Sequence, residues 1–466
     1  MSGQTVSSPT TTGGALRSRH VTMIALGGVM GAGFFVGSSG AIATAGPSVI
    51  LSYAFAGLLV LCVNIMVCLV ALRAPGRGSF VAQIGGVLGH RCGFVMGWTY
   101  WTIWITTIGI EVMAAATLMA PFVHLPYWVI EALILGVMTA LNLASVRGYG
   151  EVESWLSGIK ILAVLAFLGV GLYALAVGRH ITQLPLLEGG FFPHGGIAVL
   201  SAVPAAVFSM SGSEIGTIAA LETDSPAANI ARVARTIAIR LAAFFMTSIG
   251  MLLCLVSWKE YAPGNSPFLL VLERLNVPFA QDAMTLVILA AILSTLNSGL
   301  FAASRVLNEF ALSGYGPKAF HDATNASGIP RRAVLCVAVA SGLVALSAIA
   351  SPKLVFAFLV SVIGSFIIID DVLIVMAGMK LAPERRALGW FTLACLMAVP
   401  ASMALYPATR GELALSAGAI LGIVGIGSVV GWMRDRQDVR RASSFRGDEG
   451  MKIGVSVPVR NVPPQR

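Results

Sequence analysis

Four groups of residues in this chain could do chemistry, and each interrupts a long apolar run. The first is a glycine run, Gly27-Gly28-Val29-Met30-Gly31-Ala32-Gly33. Each glycine weakens a helix by about 1 kcal/mol, so a helix breaking here frees backbone N–H groups suited to a carboxylate. The second is the small, polar run Phe208-Ser209-Met210-Ser211-Gly212-Ser213-Glu214. The third is Lys160, isolated in apolar sequence, and the fourth is a set of acids, Glu111 and the adjacent Asp370-Asp371. No nucleophile–base set or metal-spaced set accompanies them, so the chemistry expected is binding and proton handling without a metal or cofactor, not catalysis. Each group also has a structural reading. Glycines let helices pack closely, a lysine can snorkel to an interface, and an intramembrane acid can hydrogen-bond a neighbouring helix.

The elements that hold these residues follow from composition. Of 466 residues, 57% are hydrophobic and only 11% are charged. A soluble domain carries roughly 25% charged residues, so the missing solvent is a lipid bilayer. The net charge of +9 does not point to nucleic acid, because the Lys and Arg sit in short segments between apolar runs. The six cysteines, Cys62, Cys68, Cys92, Cys254, Cys336 and Cys395, form no C-x-x-C or metal-spaced pair and read as small apolar fillers.

A span takes about 20 apolar residues. Twelve candidates fall near 21–44, 47–72, 92–119, 127–146, 152–177, 197–221, 231–257, 280–313, 331–350, 353–379, 388–406 and 412–433. An even count puts both termini on one side. That side carries most of the basic residues, including Arg17, Arg73, Arg91, Arg147, Arg331, Lys380 and Arg434, while the other carries Arg179, Lys259, Arg274, Lys353 and Arg410. The positive-inside rule makes the basic side cytoplasmic. The chain therefore divides into a cytoplasmic tail at 1–19 with no cleavable signal, a transmembrane domain at 20–434, and a basic tail at 435–466 expected to be disordered. If spans one to five and six to ten are two halves, the broken spans occupy matching places. Such a pairing points to a midplane binding site between inverted repeats.

The residues carry a resemblance as well. Arg19-His20-Val21-Thr22-Met23 with Gly31-Ala32-Gly33-Phe34-Phe35-Val36-Gly37-Ser38 resembles the opening of the amino acid–polyamine–organocation superfamily, in its bacterial amino-acid transporter branch. Gly97-Trp98 to Trp101, Tyr149 to Trp155, Leu221 to Pro226, and Leu296-Asn297-Ser298-Gly299 through Arg305 agree. Phe208 to Pro226 looks closest to γ-aminobutyrate permeases. The resemblance implies an all-α, twelve-helix fold with a five-plus-five inverted repeat and discontinuous helices one and six. It implies that a substrate carboxylate meets the backbone at Gly31, Ala32 and Gly33, and that the amine faces carbonyls near Phe208, Ser209 and Ser211, with Phe208 a gating aromatic. Glu111 matches an acid of the branch and would line the cavity or exchange protons. Lys160 would stand where relatives bind a coupling sodium, and a buried lysine can gain and lose a proton.

The chain also departs from the branch. Ile65 and Leu69 replace an Arg and a Glu, Gln83 replaces a Tyr, and Asp370-Asp371 stand where the branch is apolar or aromatic. Adjacent carboxylates inside a span are a functional-site candidate that titrates as a pair, and Arg305 is a possible cationic partner. The function expected is proton-coupled import of a small zwitterionic amino acid, γ-aminobutyrate or another neutral one, across the bacterial cytoplasmic membrane. The only partners expected are that substrate and the lipid bilayer. An amine exchanger of the same fold and a non-transporting nutrient sensor are the alternatives.

Overall fold

The computed structural model describes residues 29–74, 80–144, 149–177, 188–212, 226–320, 329–347 and 351–449. Gly27, Gly28, the basic residues of the first tail, Arg77, Arg147, Arg179 and the stretch 213–225 with Ser213 and Glu214 lie outside the described residues. Among the described residues every regular element is helical. The main helices, in chain order, are α1 (Ala32–Phe35), α2 (Ser38–Ala45), α3 (Val49–Arg73), α4 (Phe80–Leu88), α5 (His90–Met119), α6 (Tyr127–Ala144), α7 (Tyr149–Val177), α8 (Gly196–Ser201), α9 (Val203–Met210), α10 (Pro226–Leu255), α11 (Pro267–Leu275), α12 (Ala280–Ser313), α13 (Arg331–Leu346), α14 (Pro352–Leu381), α15 (Arg386–Leu405) and α16 (Arg410–Glu449).

Helix falls on all twelve expected segments, but the segments are not equal. Among the described residues, eight stretches are long and apolar enough to cross a bilayer, with Ala32–Arg73 counted as one. The sixth segment is split into α8 and α9, and the ninth is a helix of 16 residues. The outward faces are apolar, with Leu133, Val137, Leu141, Leu162, Leu165 and Leu172 exposed. Such a surface suits hydrocarbon, since lipid imposes no penalty on exposed leucine. One expected boundary is corrected. Disorder is expected after 434, yet α16 continues to Glu449. Arg and Gln are good helix formers, and extending an existing helix avoids the cost of nucleating a new one.

Four of the five segment pairs that the two-halves reading matches pack on one another. The fifth and tenth, α7 and α14, make no extensive contact among the described residues, and α14 packs instead on α3, α5 and α9. The most extensive helix contacts are α3 with α10, the second and seventh segments, and α5 with α12, the third and eighth. α6 packs on α13, the fourth and ninth, and α9 on α1 and α2, the sixth and first. Matching members of two halves meet in this way when a pseudo-two-fold axis runs between them.

Polar contacts at the helix ends agree with the alternation of sides. Arg73 pairs with Glu384, and Lys380 donates to the Val87 carbonyl at 2.7 Å at one end. Lys259 pairs with Glu188 at 2.9 Å, and Arg274 with Glu260, at the other. Hydrogen bonds from Ser257 and Lys259 hold the exposed Glu188 carboxyl below the usual carboxylate range.

The centre is tight where the broken helix meets α14. A Cβ on Gly364 would run into the backbone carbonyl of Pro204, so only glycine lets these two helices touch. Gly364→Ala should cost about 1–3 kcal/mol through forced separation of backbones. Gly136→Ala, with nothing within 4 Å of the added carbon, should be neutral or stabilising. Thermal unfolding of the two purified variants checks the order.

Candidate functional site

The first segment is irregular where its glycines cluster. Residues 29–31 form a turn, α1 starts at Ala32 with Gly31 as its cap, and α1 lasts only 4 residues before Val36 and Gly37 interrupt it. In hydrocarbon a freed backbone N–H costs several kcal/mol if nothing accepts it. Glu111 accepts it. The Ala32 N–H lies 3.1 and 3.0 Å from the two carboxylate oxygens of Glu111 on α5. The fit allows no side chain at Gly31, where a Cβ would run into Glu111 Oε1 and stand 2.6 Å from Thr295 Oγ1.

A carboxylate at 1% exposure needs compensation. Part of it comes from Lys160 on α7, also 1% exposed and close enough for its charge to act on Glu111. Lys160 Nζ donates to Ser294 Oγ at 2.9 Å. The lysine therefore turns into the bundle and does not snorkel to an interface. Ser294 and Thr295 are neighbours on α12, so one helical turn supports both Lys160 and the wall behind Gly31.

The second break faces the first. α9 stops at Met210, Ser211 is extended, and Gly212 has φ +92°, a conformation that favours glycine. Ser209 Oγ lies 2.7 Å from the Gly33 carbonyl and 2.9 Å from that of Ala205, and Tyr53 stands 3.4 Å away. A Cβ on Gly33 would sit 3.0 Å from the Phe208 ring and 3.2 Å from the Ser209 backbone. Gly33 is thus the point where the two broken helices touch. The Phe208 carbonyl accepts from Ser211 through both its N–H, at 3.1 Å, and its hydroxyl, at 2.8 Å.

Gly31, Gly33, Phe208, Ser211, Glu111, Asp370 and Asp371 all line one cavity of about 970 Å³, counting the part open to solvent. Ala32, Ser209 and Lys160 stand directly behind its wall, through the contacts above. The acid pair lies at the far end. Thr99 donates to Asp370 Oδ1, and Thr99 is twelve residues before Glu111 on α5, or ~18 Å along the helix. No small amino acid spans that distance, so a ligand held at Gly31 and Gly33 would not reach Asp370, which is itself buried at 4% exposure. Arg305 places its guanidinium over the Phe301 ring, 3.1 Å from the centroid. Among the described residues no group of three or more His, Cys, Asp or Glu could hold a metal.

Sequence reasoning missed Ser294, Thr295 and Tyr53. Ser294-Thr295 did leave a signal, a polar pair inside an apolar span just before the Leu296-Asn297-Ser298-Gly299 stretch. Tyr53 left none, since a tyrosine near a span end is ordinary. Ile65 and Leu69, in place of the branch's charges, are half-buried on α3, so no charge is stranded there.

The model of the amino acid permease family matches residues 20–404. The γ-aminobutyric acid permease of Bacillus subtilis (strain 168) is 34% identical over 436 residues, covering 89% of this chain and 92% of that protein. The γ-aminobutyric acid permease of Escherichia coli (strain K12) is 38% identical over 392 residues, 82% of this chain and 84% of that protein. The crystal structure of a point mutant of the Eremococcus coleocola manganese transporter shares the fold, at TM-score 0.53 and 14% identity, over 91% of this chain and 94% of that one.

The Gly31–Glu111 contact gives a test. Gly31→Ala and Glu111→Ala should be non-additive, with an interaction energy of about 0.5–3 kcal/mol. Removing the carboxylate makes part of the room that the added methyl needs. Unfolding of the two single variants and the double variant measures it, and strict additivity would mean that the two residues do not touch.

Proposed function

The chain belongs to the amino acid permease family, and we propose that it imports a small zwitterionic amino acid by proton symport and alternating access. γ-Aminobutyrate is the first candidate substrate, because relatives at 34% and 38% identity carry that name; another neutral amino acid is the second. The membrane is the bacterial cytoplasmic one, with both termini in the cytoplasm, as the clustering of basic residues supports.

The observation that carries this reading is the buried polar cluster at the crossing of the two breaks. In it, Glu111 holds the Ala32 N–H and Lys160 stands behind on Ser294. A substrate carboxylate approaching Gly31, Ala32 and Gly33 meets Glu111 already on that N–H. Two carboxylates cannot share one desolvated site as two full charges. Glu111 must therefore swing away or take a proton, and Lys160 is the nearest group whose proton balance would answer. Substrate binding and proton uptake become one event by electrostatics alone. The substrate amine would turn to the helix end near Phe208, Ser209 and Ser211, where the last carbonyls of α9 lie, and would displace the Ser211 groups that hold the Phe208 carbonyl. Phe208, buried against Gly33, is placed to gate that position. Asp370 and Asp371, in the lining toward the Thr99 end, would hold a cationic amine or a proton as the cargo leaves.

Uptake of a radiolabelled amino-acid panel into proteoliposomes, with and without an inward proton gradient, tests the proposal. The gradient should drive accumulation. Lys160→Ala should abolish gradient-driven uptake and leave substrate binding intact. Gradient-independent counterflow in the wild type would replace symport by exchange, and no uptake of any amine would remove the transport reading.

A further inference from the structure

The helices that build the central site carry on past it into a second cavity. On α5 the lining of the first cavity runs from Met96 to Glu111, and Ala114, Thr117 and Leu118 line the second. Ala114 is three residues past Glu111, or ~4.5 Å along the helix. The first segment makes the same change of sides, with Gly31 and Gly33 facing the first cavity, and Val36 and Ser39 the second. The two cavities therefore stand in series, and the Glu111–Ala32 contact lies at their junction. The first extends toward the end that carries Arg73 and Lys380. The second, about 900 Å³ counting the part open to solvent, lies at the end that carries Lys259 and Arg274.

The second cavity has the chemistry of a binding site. Its loop, 261–266, is pinned in place. Gly264, at φ +80°, donates its N–H to Ser39 Oγ at 3.2 Å, and a Cβ there would stand 2.8 Å from the Lys353 backbone. Two charged groups of opposite sign line the cavity, Lys353 at the start of α14 and Glu273 on α11. Both are exposed, and neither has an ion pair or side-chain hydrogen bond among the described residues. The other acid in the lining, Glu260, is taken by Arg274. The wall also contains Ser266, only 7% exposed, whose hydroxyl has no hydrogen-bond partner among the described residues. That hydroxyl is sealed within the wall, so the groups the cavity offers to a ligand are the two exposed charges. One cation and one anion suit a molecule bearing both charges, and discriminate against simple anions and simple cations alike.

We propose that this cavity is a second binding site, a capture site for a zwitterionic amino acid, with Lys353 taking the carboxylate and Glu273 the ammonium group. It rests on the amino-acid transport reading for its ligand class, and adds a stage before the central site. A ligand held there waits behind the Glu111–Ala32 contact.

Equilibrium dialysis of the purified full chain against radiolabelled γ-aminobutyrate and L-alanine tests it. The wild type should bind two molecules per chain. The Lys353→Gln/Glu273→Gln double variant should bind one, with unchanged affinity, and Lys353→Arg should keep both. In right-side-out vesicles the double variant should raise the KM for uptake by roughly 3-fold or more, in line with two solvent-facing charges. In inside-out vesicles KM should not move. One molecule per wild-type chain, no binding of either probe, or equal weakening at both faces overturns the capture site. Two molecules bound without any uptake would leave the capture site standing and remove transport. Uptake with one molecule bound would do the reverse.

Discussion

A single backbone N–H, that of Ala32, sets the terms for the centre of this protein. Glycines break the first helix inside a bilayer, where no water can satisfy the freed group. The protein supplies a carboxylate from α5 in place of water. That choice brings an ionisable group into the core, and a second one, Lys160, is buried nearby with its ammonium on Ser294. The result is a cluster that draws on α1, α5, α7 and α12, so any motion of the first helix disturbs all four.

This cluster also explains why the packing is arranged as it is. α5 and α12 make one of the two most extensive contacts in the molecule and carry Glu111, Ser294 and Thr295 between them. They form a firm back wall. The broken helices in front touch through Gly33, which carries no side chain, against the Phe208 ring and the Ser209 hydroxyl. A break that stands on a firm wall but meets its partner through one glycine, one ring and one hydroxyl can change its arrangement without unpacking the bundle. Two cavities in series, divided at that break, are the geometry that alternating access would use.

Much of this was legible in the sequence, because hydrocarbon punishes exceptions. Span positions could be read within a few residues, since a helix must be apolar for about 20 positions. Gly31, Gly33, Ser211, Glu111 and Lys160 stood out because each is costly in lipid without a reason. What the sequence could not convey was partnership. Glu111 and Ala32 are 79 residues apart, and Lys160 and Ser294 are 134 apart. Nothing local says that these meet. The outer cavity was harder still, because Ser266, Glu273 and Lys353 lie in polar stretches between spans, where charges cost nothing and attract no notice. Asp370-Asp371 drew attention as an exception, but only the structure showed that Asp370 meets Thr99, which lies ~18 Å along α5 from Glu111. Helical continuation to Glu449 was missed because composition alone does not register that a helix already in progress extends cheaply.

In the proposed transporter the Glu111–Ala32 contact separates two cavities that open to opposite faces of the membrane. Single cysteines placed in a background without the six native ones measure this directly, with a small, membrane-impermeant thiol reagent applied to right-side-out and inside-out vesicles. Ile367→Cys, in the first cavity, should react from the face that carries Arg73 and Lys380. Thr117→Cys, in the second, should react from the opposite face. Reaction of both from the same face, or of either equally from both faces, would contradict the account.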